Sequence, residues 1–279
     1  MYVPKGRRGL TDPDKAGQTY CTRGSTRTTS TPTPNNSDNV QNRQRPTYKR
    51  IGILGGIGPE STMIYYQYIV REHYRQHGNL QYPEILILSV SYQDYAECLC
   101  QGQWNFVVTK ATQALKSLQK AGAHYGLIAC NTLHLVFDEI QNQSPIPLIS
   151  IVEATSESIE QQGMKTVGLL GTALTMNSGI YRKKLETIGI ETLVPSEEDK
   201  RFVDKVIRKE LVPGVIKAKS KERFVRIIDT LASLGAEGVI LGCTEIPLLI
   251  SQGDCHIQLF NTALIHAQKA LAYSIAPIP

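Results

Sequence analysis

Ile51-Gly-Ile-Leu-Gly55 reads as a short apolar strand closed by glycine, and Val167-Gly-Leu-Leu-Gly171 repeats it. A second pair follows at matched spacing. Leu127-Ile-Ala-Cys-Asn-Thr132 is echoed by Ile240-Leu-Gly-Cys-Thr244, with 75 residues from Gly55 to Cys130 and 72 from Gly171 to Cys243. Two matched pairs at matched intervals indicate two similar units. From Tyr48 onward, apolar runs of four to six residues bounded by Gly or Pro alternate with longer amphipathic stretches, which is the grammar of an α/β fold. The expected strands are Ile51 to Leu54, Ile85 to Val90, Tyr125 to Ala129, Leu148 to Ile151, Thr166 to Leu170, Gly238 to Leu241 and Ile257 to Phe260. Helices are expected between them, including Pro59 to about His77, with Pro well placed at a first helical position, and Lys221 to Leu234, apolar on one face.

The chain has 279 residues, 41% of them apolar, enough for one large or two small domains. Its formal charge of +5 is concentrated at one end. Residues 1 to 50 carry ten Lys or Arg against three Asp (Asp12, Asp14, Asp38), which leaves 20 basic and 22 acidic residues in the remainder. The body is therefore slightly acidic, and the overall charge gives no reason to expect a nucleic-acid partner. Residues 1 to 47 are rich in Ser, Thr, Pro, Asn and Arg without periodicity, and are expected to form a disordered basic tail. A transit peptide or a polyanion-binding arm is the alternative reading of that tail, although Pro4, Asp12 and Asp14 argue against a transit peptide. No apolar run suits a membrane span or a secretory signal. Six cysteines over this length fall well below the density of a disulfide scaffold, so a reducing, cytoplasmic setting is expected.

Cys130 and Cys243 each follow an apolar strand and precede small polar residues able to open a helix, Asn131-Thr132 and Thr244-Glu245. A cysteine at a helix N-terminus meets amide N–H groups and the positive end of the dipole, so its pKa is expected to fall. Strand C-termini of parallel sheets also face the ligand crevice. A lone buried cysteine is usually a small hydrophobe. The repeat changes that reading, because the two sulfurs occupy equivalent places and would face each other across a pseudo-twofold cleft. Two opposed acid/base groups suit inversion at a carbon centre, one removing a proton while the other delivers one to the opposite face. Metal binding fits poorly, since neither cysteine has a Cys-x-x-Cys or matched His partner and Cys98-Leu-Cys100 stands apart. Gly55-Gly-Ile-Gly58 matches neither dinucleotide nor phosphate-loop patterns.

Four ordered motifs, Gly55-Gly-Ile-Gly-Pro-Glu-Ser-Thr62, Cys130-Asn-Thr-Leu-His134, Thr175-Met-Asn-Ser-Gly-Ile-Tyr181 and Gly242-Cys-Thr-Glu-Ile-Pro247, closely resemble the aspartate/glutamate racemases over about residues 50 to 275. The resemblance implies two Rossmann-like lobes with mainly parallel sheets, related by a pseudo-twofold, and the active site between them. One lobe would comprise residues 48–153 plus 260–279, the C-terminal helix returning to it, and the other residues 154–259. It also implies a cofactor-independent racemase that uses no metal, acts on a small amino acid, has no membrane partner and forms a homodimer. The family's paired catalytic cysteines map onto Cys130 and Cys243.

Carried over by motif, Asn131, Thr132 and Thr244 look like substrate-carboxylate contacts, and Lys183 matches a lysine that holds the side-chain carboxylate in aspartate-selective relatives. The run Arg182-Lys-Lys184 is equally readable as a solvated helix face. Gly56 and Ile57 are expected to offer backbone amides, and Thr172 and Glu245 to contribute from the second unit. His134 reads as a hydrogen-bond partner near Cys130 or a structural histidine. Where relatives place an arginine after the second strand, Ser89-Val-Ser-Tyr-Gln-Asp-Tyr95 has no basic residue, and Gln93 is the expected neutral substitute. Asn261-Thr262 also departs from the family and receives no role. The leading expectation is racemisation of aspartate, or of aspartate and glutamate. A broad-specificity racemase, a same-fold isomerase of maleate or hydantoin, and a non-enzymatic amino-acid-binding module are the alternatives.

Overall fold

The structure, a computed structural model, describes residues 48–276, and the expected basic tail lies outside them. The first lobe runs β1 (Ile51–Gly55), α1 (Pro59–His77), β2 (Ile85–Ser89), α2 (Tyr92–Cys100), α3 (Trp104–Lys120), β3 (Tyr125–Ile128), α4 (Phe137–Gln143) and β4 (Leu148–Ile149). The chain continues with α5 (Ile151–Glu160), β5 (Thr166–Gly171), α6 (Ala173–Asn177), α7 (Ile180–Glu186), β6 (Glu191–Leu193), α8 (Glu197–Val206), α9 (Ala218–Ser233), β7 (Gly238–Gly242) and β8 (Gln258–Asn261), most of which form the second lobe. The last helix is α10 (Thr262–Ile275).

Each lobe holds a four-stranded sheet, ordered β2-β1-β3-β4 and β6-β5-β7-β8. Every strand pairing is parallel. The internal repeat is thus a repeat of topology: β1 and β5 are the matched glycine-closed strands, and β3 and β7 the matched strands that lead into the cysteines. In both sheets the chain changes winding direction between those two strands, and that is where the C-terminal ends of an open α/β sheet leave a crevice.

Alternation along the strands explains the layers. Ile51 and Ile53 pack with Tyr65 and Ile69 of α1 and with Ala263, Ala267 and Ala270 of α10. Leu54 and Ile128 face the opposite layer with Leu115 and Leu118 of α3. Successive strand side chains point to opposite faces, so a strand covered on both sides must be apolar throughout. The small residues of α10 let it approach α1 closely, and Tyr125 donates from its hydroxyl to the Ala270 carbonyl at 2.7 Å. The last helix of the chain therefore packs on the first sheet.

Two expectations needed adjustment. Ile151 opens α5 instead of closing β4, because the Ser150 side chain accepts the Glu153 N–H and caps the helix there. The edge strand β6, Glu-Thr-Leu, has no counterpart among the expected strands, because three residues carry too little periodicity to mark one. No helix among the described residues is long and apolar enough to cross a membrane.

Ala267 is fully buried between α10 and α1. Ala267→Leu is expected to cost about 1–3 kcal/mol through overpacking, read as a lower urea midpoint at unchanged slope. An unchanged midpoint would contradict close packing of this helix.

Candidate active site

Cys130 lies two residues beyond β3, and Cys243 directly follows β7. Cys130 and Cys243 both line one small cavity that is partly open to solvent. The first lobe contributes Ile57, Gly58, Asn131 and Thr132 to its walls, and the second Thr172, Thr244 and Glu245.

The thiols do not behave as a helix N-terminus alone would dictate. Burial pushes the Cys130 thiol up to about 12, while the amide N–H groups of Leu133 and Thr132 and the Thr132 hydroxyl pull the other way. Cys243 is raised well above its ordinary value, first by burial, then by the Glu245 carboxyl, with a further contribution from Cys130. The expected fall in pKa is therefore reversed. The stabilising N–H groups are present, but desolvation of a thiolate outweighs them.

Glu245 joins the lobes at the centre of this arrangement. It is 3% exposed. Its Oε2 accepts from the Cys243 thiol at 3.2 Å and from the Thr244 hydroxyl at 3.1 Å, while Oε1 accepts the Gly58 N–H at 3.1 Å. Gly58 has to be glycine for this contact, since a Cβ there would stand 2.7 Å from Oε1. Gly56, two residues earlier, has φ of +89°, a conformation that favours glycine.

Behind Cys130 sit two histidines whose tautomers follow from their partners. The Ile151 N–H donates to His134 Nε2 at 3.1 Å, so Nδ1 carries the proton and donates to the Cys130 carbonyl at 2.8 Å. His266 Nε2 faces the Ile149 carbonyl at 2.8 Å and must donate, leaving Nδ1 to accept from Tyr65 at 3.0 Å. Burial lowers both, His134 to about 4 and His266 to about 3. Asn131 is similarly committed: Nδ2 donates to Thr262 at 3.0 Å and Oδ1 accepts from Tyr181 at 2.5 Å. The hydroxyls of Thr132, Thr172 and Thr175 form a triangle across the lobes with edges of 3.0 to 3.2 Å.

A sequence model of the Asp/Glu/hydantoin racemases matches residues 54–270. The chain belongs to the Asp/Glu/hydantoin racemase family. Among its relatives, an aspartate racemase homologue from Pyrococcus horikoshii OT3 is 39% identical, with a TM-score of 0.69, and the match covers 82% of this chain and 100% of that one. An aspartate racemase from Picrophilus torridus is 25% identical with a TM-score of 0.66, over 81% of this chain and 94% of that one. A broad specificity amino-acid racemase, RacX of Bacillus subtilis (strain 168), is 25% identical over 233 residues, which is 81% of this chain and 98% of that protein.

Against this family background, three expected contacts lie outside the cavity lining. Gly56 is buried behind it, its N–H donating to the Thr62 hydroxyl at 2.9 Å. Gln93 is exposed and pairs with Glu97. In α2 the residues Tyr92, Tyr95, Ala96 and Leu99 share the inner face, so Gln93 and Glu97, four apart, share the outer one. Lys183 is exposed on α7. Tyr181 points inward to Asn131, and two residues of helix turn the next lysine about 200° away from it. The cavity instead receives Tyr92 from α2 and Arg208 from the π-helical turn Ile207–Leu211 after α8. Nothing in the sequence marked Arg208, one of five basic residues between Lys200 and Lys209. Asn261 and Thr262, left without a role, cap α10 and hold Asn131: Asn261 accepts the Leu264 N–H, and Thr262 donates to the Leu241 carbonyl. Among the described residues no group of three or more His, Cys, Asp or Glu is gathered as a metal site.

Two outcomes follow. The buried histidines are neutral when folded and bind protons only below their lowered pKa values, whereas unfolded histidine titrates near 6.5. The unfolded chain thus binds more protons as pH falls from about 6.5 toward 4, and each histidine should remove up to about 1.4 kcal/mol of stability per pH unit there. Imidazole resonances of His134 or His266 titrating near 6.5 in the folded protein would contradict this. For the thiols, Glu245→Gln removes a charge that raises Cys243, so Cys243 should be alkylated several-fold faster by iodoacetamide at mildly alkaline pH. Mass spectrometry of the labelled peptides reads the change, and an unaltered or slower rate would count against the electrostatic link.

Proposed function

We propose that this protein racemises aspartate by two-base proton transfer, with Cys130 and Cys243 acting on opposite faces of the α-carbon. The observation that carries the proposal is the meeting of both sulfurs at one cavity, from equivalent strand ends of the two lobes. One cysteine, as thiolate, removes the α-proton and the other, as thiol, returns a proton from the far side. A buried thiolate with a raised pKa is a strong base for a weakly acidic C–H, provided the bound substrate offsets its desolvation, and the α-ammonium group supplies that positive charge. Glu245, bonded to the Cys243 thiol, is placed to take up and return its proton. The N–H groups of Thr132 and Leu133 beside Cys130 supply dipoles for negative charge on its sulfur and on the carboxylate of the developing enediolate.

The family relatives named for aspartate favour that substrate, and the Bacillus subtilis relative keeps a broad-specificity racemase as the second reading. In either case the reaction runs without a cofactor, in the cytoplasm and as a homodimer, with lobes divided near residues 153 and 260. The test is proton NMR in deuterium oxide with L-aspartate. The α-proton should wash out while the two enantiomers converge to equal amounts. Cys130→Ala and Cys243→Ala should each lower kcat by about 10²–10⁴-fold, the usual contribution of a positioned acid or base, with unchanged circular dichroism. Binding without exchange would point to a non-enzymatic module, and near-normal activity in either variant would reject the two-base mechanism.

A further inference from the structure

The cavity has two kinds of wall. Around the sulfurs it is polar, with Asn131, Thr132, Thr172, Thr244 and Glu245 beside Cys130 and Cys243. Away from them it turns apolar, with Ala96 and Leu99 of α2, Leu174 of α6, and Ile207 and Val212 at the ends of the π-helical turn after α8. Two polar side chains interrupt that apolar wall, Arg208, whose Nε is bound to Asp204, and Tyr92.

Tyr92 is the first residue of α2 and shares its inner face with Ala96 and Leu99, at the four- and three-residue steps of a helix. The half-buried ring packs against the apolar cluster that includes Ile57, Cys130 and Leu133, so the side chain is anchored. Its hydroxyl makes no hydrogen bond among the described residues. Burial raises the pKa of that hydroxyl, the charge of Arg208 opposes the rise, and Cys243, Cys130 and Glu245 add to it. The oxygen therefore lies within electrostatic reach of both thiols, and near neutral pH it keeps its proton and remains a donor.

We propose that Tyr92 is a specificity-determining residue whose hydroxyl donates a hydrogen bond to the side-chain carboxylate of the bound amino acid. This rests on the racemase reading above and deepens it. With the α-carbon between the sulfurs and its amino and carboxyl groups among the polar loops, the substrate side chain is directed to the remaining wall. A carboxylate set against Ala96, Leu99 and Leu174 alone would lose its hydration without compensation, so it needs a donor there. A phenolic O–H meets a carboxylate in a charge-assisted bond, which is stronger than one between neutral groups and stronger again where water is excluded.

The experiment follows α-proton exchange of L-aspartate by NMR in the full-length wild type and in Tyr92→Phe, which keeps the packed ring and removes only the unbonded hydroxyl. L-Alanine, which lacks the second carboxylate, is added as a competitor, and thermal unfolding is monitored in parallel. Loss of a hydrogen bond to a charged group should lower kcat/KM for aspartate by about tenfold or more. The loss should fall on KM, with kcat changed less than about threefold, because the distal carboxylate is bound alike in ground and transition states. The inhibition constant of alanine should stay within about twofold, as its binding does not use the hydroxyl. An unaltered kcat/KM, a loss confined to kcat, or an inhibition constant for alanine that rises in step with KM overturns the role of Tyr92, as does a wild type that exchanges alanine as readily as aspartate; all four leave racemisation intact. Absence of exchange with either amino acid in the wild type would instead reject the racemase reading.

Discussion

Parallel pairing of strands buried on both faces is the constraint from which the rest of this molecule follows. Such strands can hold almost nothing but apolar residues, so polar chemistry is expelled to the loops at their ends. With the same strand order in both sheets, the equivalent loops are those after β3 and β7. A single cysteine after one strand would be an unremarkable small hydrophobe. Duplicated, the same placement sets two thiols on the walls of a common cavity.

Burial then decides the electrostatics. Both sulfurs lie among residues that exclude water, and desolvation of the charged form is the largest influence on each. The amides and hydroxyl beside Cys130 stabilise negative charge without reversing the balance, and the carboxyl beside Cys243 adds to the rise. Protonated thiols react sluggishly with electrophiles, since the thiolate is the nucleophile. In the proposed reaction the cationic group of the substrate shifts the balance, which couples base activation to occupancy.

The lobes meet through hydrogen bonds as well as apolar packing. Glu245 reaches the N-terminus of α1, the three threonine hydroxyls bridge the cavity wall, and Asn131 is held by Tyr181 of the second lobe and Thr262 of the last helix. His134 and His266 fasten the segment that joins the lobes, from Ile149 to Ile151, to the Cys130 loop and to α10. These contacts fix where each cysteine stands, because most of the donors and acceptors involved are buried and would be costly to leave unpaired.

The sequence by itself determined the two-unit α/β plan, the strands except the short edge strand β6, the long helix from Pro59, and the pair of cysteines at equivalent positions. Those are written locally, in apolar runs, glycines and a repeat that survives as spelling. It also named the part of the cavity wall nearest the sulfurs, since Asn131, Thr132, Thr244 and Glu245 adjoin the cysteines and must go where they go. Only the tertiary structure decided the direction of the thiol shifts, because desolvation depends on atoms distant in the chain. It likewise decided which side chain projects inward from a helix: Tyr92 and not Gln93, Tyr181 and not Lys183. The phase of a short helix is set by the partner it packs against, and one or two residues of difference turn a side chain from cavity to solvent. Arg208, one basic residue in a basic stretch, gains its position from the π-helical turn after α8 and from the tether to Asp204, neither of which composition or spacing could reveal.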